Sequence, residues 1–198
     1  MGLPSPPADY IRQRLELAAR RSQHREGYRR AAVLIPLLDA DGEWEVLLTR
    51  RTSDLPHHRG QIAFPGGSLD AGENCVQAAI REANEEIGLD PANVQILGCH
   101  DDIWTPSGFI ISPVIGVVAT GEGLKPNPAE VARLFYVPLS FFADTATAQR
   151  QTLMHEGIER EVYFYQWGGE TIWGATALML RNLLGLLEMI SDDQQSIA

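Results

Sequence analysis

The sequence predicts an α/β fold, a mixed β-sheet flanked by helices, and three observations carry that expectation. Apolar β-rich runs and helical periodicities intermix along the chain without the regular strand–helix–strand repeat of a parallel sheet. An Asp41-Gly42 pair stands between two such runs, the dipeptide of a tight hairpin. Near the middle, Val76, Ala79/Ile80, Ala83 and Ile87 recur at three- and four-residue intervals, which makes an amphipathic helix over about residues 74 to 87. No Pro/Gly/Ser-rich linker interrupts the 198 residues, a length that builds one core.

In chain order, PPADYIRQRLELAARR (6–21) predicts an opening helix. Prolines suit its start, Asp9 is placed to cap it, and Ile11, Leu15 and Ala18/Ala19 repeat at helical spacing. AAVLIPLL (31–38) and WEVLLTR (44–50) predict the two strands of the hairpin. A polar loop, RTSDLPHHRGQ (51–61), leads to IAFPGGS (62–68), read as a short strand ending in a Pro-Gly-Gly turn. Gly88 then closes the central helix in a left-handed conformation. VQILGCHDDIWT (94–105), SPVIGVVAT (112–120) and REVYFYQW (160–167) predict further strands, and LFYVPLSFF (134–142) a strand running into a short helix. IWGATALMLRNLLGLLEMI (172–190) is a buried C-terminal helix rather than a span, because Arg181, Asn182 and Glu188 interrupt it. The expected organisation is a helical extension (1–29), one domain (30–190) and a polar tail (191–198).

The charge balance narrows the function classes. A formal net charge of −10 argues against a general nucleic-acid binder, which needs a basic face. The imbalance is uneven, since residues 1–30 hold seven arginines against Asp9, Glu16 and Glu26, the pattern of a solvated helix face. Two cysteines, Cys75 and Cys99, make no disulfide framework, and no signal peptide precedes them, so a reducing cytoplasm is the expected compartment.

The densest chemistry is REANEEIG (81–88), which places Glu82, Glu85 and Glu86 within five positions. Glu82 and Glu86 share a helical face, with Glu85 one step round. Like charges so crowded repel and hold protons unless a cation neutralises them. Hard ions such as Mg²⁺ take carboxylate oxygens and leave positions for substrate phosphates. Arg81, four residues before Glu85, can pair with it. By themselves these acids fit a solvated helix face as well as a site.

The spacing around them is more specific. Gly67, Glu73, Arg81-Glu82, Glu85-Glu86 and Gly88-Leu89 follow the pattern G-x5-E-x7-R-E-U-x-E-E-x-G-U, with a small Ala83 where a bulkier aliphatic is common. This stretch resembles the Nudix box. The resemblance implies an α/β/α sandwich whose box is a catalytic loop-helix-loop. It also implies hydrolysis of a nucleoside diphosphate linked to a further group, assisted by a divalent cation, Mg²⁺ or Mn²⁺. Carried over by position, Glu82 and Glu86 are the principal metal ligands, Glu85 an additional one and the Gly66 carbonyl another, while Glu73 and Arg81 brace the loop and helix. For the base, the candidates are a box glutamate, Glu130 in NPAEVARLF, or Glu122 in TGEG.

Upstream, LLTRRTSDLPHHRGQIAFPGG (47–67) resembles the additional motif of the coenzyme A pyrophosphatase branch, with Leu47, Leu48, Thr49, Arg51, Gly60, Phe64, Pro65, Gly66 and Gly67 in register. Thr52 replaces a Ser or Ala, and Pro56 replaces an Arg. IWGATALML (172–180) resembles the tail of the same branch. The resemblance implies cleavage of coenzyme A, or an acyl derivative, to 3′,5′-ADP and 4′-phosphopantetheine. Arg51, His57, His58 and Arg59 are then candidates to meet phosphate, and Gly60 and the Gly66-Gly67 pair are backbone devices permitting tight turns and close approach. Pro56 keeps open a pyrophosphatase acting on ADP-ribose, dinucleotides or nucleoside triphosphates. A non-catalytic ligand sensor is a third reading, against which the intact acids argue. The expected partner is a small nucleotide, with neither nucleic acid nor membrane, and a homodimer is left possible.

Overall fold

In the computed structural model, residues 5–52, 60–155 and 158–190 are described. Pro56, His57, His58, Arg59 and the 191–198 tail lie outside them. Helix α1 (Ala8–Leu17) leads into strands β1 (Arg29–Ala40) and β2 (Glu43–Arg51), then β3 (Ile62–Ala63) and β4 (Gly66–Ser68). Helix α2 (Cys75–Ile87) follows, then β5 (Val94–Cys99), β6 (Ile103–Thr105), β7 (Phe109–Val118) and β8 (Val131–Pro138). Helix α3 (Leu139–Ala143), β9 (Gln149–His155), β10 (Ile158–Trp167), β11 (Glu170–Trp173) and α4 (Gly174–Leu186) complete the order.

An eight-stranded mixed sheet forms the centre. Among the described residues its one parallel pair is β1 with β7, and β2, β4, β5, β6, β3 and β8 join antiparallel. Alternation along β1 builds both layers from one strand. Ala32, Leu34 and Leu38 pack beneath α2 with Ala78, Ala79, Ala83 and Ile87. Ile35 and Leu37 face the opposite side, with α1, α3 and α4. The result is the expected α/β/α arrangement. A second, three-stranded antiparallel sheet, β11-β10-β9, packs Tyr163 and Tyr165 into the larger core.

The hairpin is as the sequence predicts, with Asp41 at φ 54° and Gly42 at φ 87°. Its strands pair only from Leu37↔Val46 to Ala40↔Glu43, and beyond that they part. Residues 62–68 enter the gap: β3 pairs with Thr49 and Arg50 of β2, and β4 pairs with Ala31–Val33 of β1. Gly66 and Gly67 are therefore strand residues, not the turn expected from Pro-Gly-Gly. A Cβ at Gly66 would run into Ala32 O and Val33 Cα, so only glycine permits this pairing. Asp9 also differs from expectation: Pro7 holds the N-cap position of α1 without a side-chain bond, and Asp9 lies in the first turn.

Candidate active site

Helix α2 is delimited at both ends by local chemistry. Asn74 accepts from the Gln77 amide at 3.0 Å while Gln77 accepts from the Asn74 amide at 2.9 Å, a reciprocal capping box. Gly88 ends the helix at φ 66°, as expected, with its N–H on Asn84 O and the Leu89 N–H on Ala83 O. The small side chains of Ala78, Ala79 and Ala83 let the helix lie close over β1 and β4, which brings Glu82 and Glu86 onto the glycine strand.

Glu86 is 3% exposed, and its Oε2 accepts from the Gly66 N–H at 3.1 Å. Its Oε1 faces Arg51 Nη1 at 3.4 Å. Burial pushes this carboxyl up to about 7, although the Gly66 N–H and Arg51 favour its anion. Glu82 lies against Gly67, where any Cβ would overlap its carboxylate. Burial raises its pKa as well, and the neighbouring Glu85 and Glu130 charges reinforce the shift against the Arg81 guanidinium.

Arg81 is the organiser of the remaining acids. It forms a two-pronged pair with Glu73 at 2.8 and 2.9 Å, and reaches Glu82 at 2.8 Å, Glu85 at 3.1 Å and the Ser68 carbonyl at 3.0 Å. The Arg81 bonds, with the Asp70 N–H, hold the Glu73 carboxyl down at about 2. Glu73 and Arg81 thus brace loop against helix. Glu85, 55% exposed at its side chain, pairs with Arg81 as the sequence spacing predicts.

Glu130, in the loop before β8, lies near enough for its charge to act on Glu82 and Glu86. Lys125 N–H bonds to Ile87 O and Asn127 N–H to Glu86 O, both at 2.8 Å, fastening the 125–130 loop to the end of α2. Asn127 then accepts the amides of Ala129, Glu130 and Val131, and its Nδ2 donates to Glu130 Oε1 at 3.3 Å. Thr52 N–H donates to Glu130 O, tying this loop to the end of β2 beside Arg51. The sequence singles out Glu130 as a candidate base, and the structure adds Asn127. The Asn127-Pro128 turn dipeptide three residues before the acid is the signal that would have found it. Glu122 is exposed, its amide bonded to Thr120 Oγ1. Gly60 has φ 64°, the left-handed turn its residue type suits.

Known proteins share this sequence pattern. The NUDIX domain family matches residues 27–156. An uncharacterized Nudix hydrolase NudL of Photorhabdus laumondii is 35% identical over 178 residues, 89% of this chain and 95% of that one. The chain belongs to the Nudix hydrolase family. A second NudL, from Pectobacterium atrosepticum, is 36% identical over 156 residues, 78% of this chain and 81% of that one. Among solved structures, the Nudix hydrolase RenU of M. smegmatis aligns with a TM-score of 0.49 at 29% identity, over 57% of this chain and 72% of that chain. The Nudix chain is accordingly a hydrolase of the diphosphatase type, and its family generally uses divalent cations.

Among the described residues, no three acids stand together as a ready-made cation site. The donor chemistry of this Nudix site nonetheless fits a hard divalent ion. Two carboxylates with raised pKa values and a nearby Glu130 are a charge cluster that a cation would relieve. Gly67 leaves the room that the Glu82 carboxylate occupies. No helix among the described residues is long and apolar enough to cross a membrane.

Proposed function

We propose that this Nudix hydrolase cleaves the diphosphate of coenzyme A, or of an acyl derivative, to 3′,5′-ADP and 4′-phosphopantetheine. The observation that supports this reading most is the contact between Arg51 and Glu86 at 3.4 Å. It joins the coenzyme A-type motif of residues 47–67 to the box acids in one surface. Arg51 binds a phosphate of the diphosphate through its planar donor fork. His57, His58 and Arg59 are proposed to meet the 3′-phosphate, supplying cations where Pro56 stands in place of the motif's arginine.

Glu82 and Glu86, with Glu85 and the Gly66 carbonyl, would hold Mg²⁺ or Mn²⁺. Such a cation supplies charge neutralisation on the phosphoryl oxygens and a more electrophilic phosphorus. Glu130, oriented by Asn127, accepts the proton of the attacking water at its carboxylate. Glu73 and Arg81 keep the loop and helix in register throughout.

Incubation with Mg²⁺ or Mn²⁺ and a panel of coenzyme A, ADP-ribose, NADH, diadenosine polyphosphates and deoxynucleoside triphosphates tests the reading. Adenosine 3′,5′-bisphosphate from coenzyme A is the expected product. Its absence, with turnover of another panel member, would move the assignment to that substrate class; no product from any would indicate a ligand sensor. Glu86→Gln is expected to cut turnover on the order of 100-fold or more with an unchanged circular dichroism spectrum. A near-normal rate would refute the ligand role of Glu86.

A further inference from the structure

Both cysteines stand together at the start of α2, the end opposite Glu86. Cys75 is the first residue of α2, Cys99 the last of β5, and their sulfurs are 3.6 Å apart. Arg20 Nη1 bonds to Cys75 Sγ at 3.2 Å. The guanidinium is itself fixed, because its Nη2 bonds to Asp102 Oδ1 at 2.6 Å and to Ser112 Oγ at 2.8 Å. Cys75 lines an open cleft of about 340 Å³ with Arg20, Ser22, Arg30, Leu69, Glu73 and Asn74. Cys75 is only half-buried at this cleft. Neither thiol has a part in the hydrolysis proposed above.

We propose that Cys75 and Cys99 are a peroxide-reactive dithiol, with Cys75 as the attacking sulfur and Cys99 as the resolving one. Three features set the roles. Cys75 sits at the positive end of a 13-residue helix, carries the arginine contact and opens to the cleft. The contact between the two sulfurs, together with the Arg20 cation, favours the Cys75 thiolate against burial and the Asp102 charge. Held by the same contact and by burial, Cys99 keeps its proton until it is needed.

The chemistry closes with a hydroperoxide as oxidant. Cys75 thiolate attacks one peroxide oxygen; the S–O bond forms, the O–O bond breaks, and the leaving alkoxide or hydroxide takes a proton from water. Sulfur has lost two electrons and the peroxide has gained them. Cys99 sulfur then attacks the Cys75 sulfenic sulfur, forming S–S and breaking S–O. The departing hydroxide leaves as water with the Cys99 proton. The sulfurs must approach by roughly 1.5 Å to reach bonding distance. The oxidised chain carries a covalent tie between β5 and the helix that bears Glu82 and Glu86, and a dithiol reductant opens it again.

The reduced full-length protein is treated at pH 7 with one equivalent of hydrogen peroxide, quenched with an alkylating agent and digested for mass spectrometry. A Cys75–Cys99 peptide pair lighter by two hydrogens, lost on dithiothreitol treatment, is expected. Cys99→Ser should trap Cys75 as a sulfenic acid that dimedone labels, while Cys75→Ser leaves Cys99 unlabelled. Native Cys75 should react on the order of tenfold faster than the same residue in the denatured chain, which has a few per cent thiolate. Equal rates in native and denatured protein, or first labelling at Cys99, would overturn the proposal.

Discussion

Gly66 and Gly67 adjoin in the chain yet answer to different constraints. A Cβ at Gly66 meets the β1 backbone, whereas one at Gly67 meets the Glu82 carboxylate. Gly66→Ala is therefore expected to destabilise the fold by about 1–3 kcal/mol, read as a lower urea midpoint, since backbone cannot swing aside. Gly67→Ala should leave that midpoint nearly unchanged and lower turnover instead, by displacing one carboxylate from its seat. Glu130→Gln bears on the proposed base: kcat should fall on the order of 10²–10⁴-fold with KM little changed. A loss confined to KM would return Glu130 to a binding role.

Among elements, α2 was the most legible, because its boundaries rest on neighbours in sequence. Apolar spacing gives its buried face and Gly88 its stop, and the Asn74–Gln77 capping box lies in neighbouring residues as well. Interactions between distant segments left no such trace. Asp102 is the clearest example: it takes bonds from Arg20, Ser112, Ser22 and the Gln23 amide, and pairs more loosely with Arg30, pinning the segment after α1 to β6 and β7. Burial opposes its charge, but these bonds outweigh burial and hold its pKa below the usual aspartate range. A carboxyl lowered by folding stabilises above its unfolded pKa of about 4, and that stabilisation drains away as pH falls through the folded value. Asp102→Asn should thus cost about 2–3 kcal/mol at pH 7, with the gap in urea midpoint to the parent chain narrowing below about pH 4. A gap independent of pH would mean that packing, not charge, is what Asp102 contributes.

Across the whole molecule, the N-terminal helix is more than an appendage. Ile11 is fully buried and Leu15 is 5% exposed in the same core as α4 and β10. Ile11→Ala is expected to lower unfolding free energy by about 2–4 kcal/mol in a denaturant titration, although it lies outside the matched NUDIX span. The small sheet is half legible in the sequence: β10 alternates as a strand does, but β9 and β11 are polar or short, and their strand character comes from pairing with β10. The acids, glycines and arginine of the box stand at intervals measured along one helix and one loop, so residue order alone sufficed to identify them. Which atoms meet depends on where separate strands end. The parting of β1 from β2 admits the glycine strand beneath Glu86, and the stitching of Asn127 to α2 brings Glu130 and Arg51 to one place. Those contacts span dozens of residues, and only the folded sheet sets their distances.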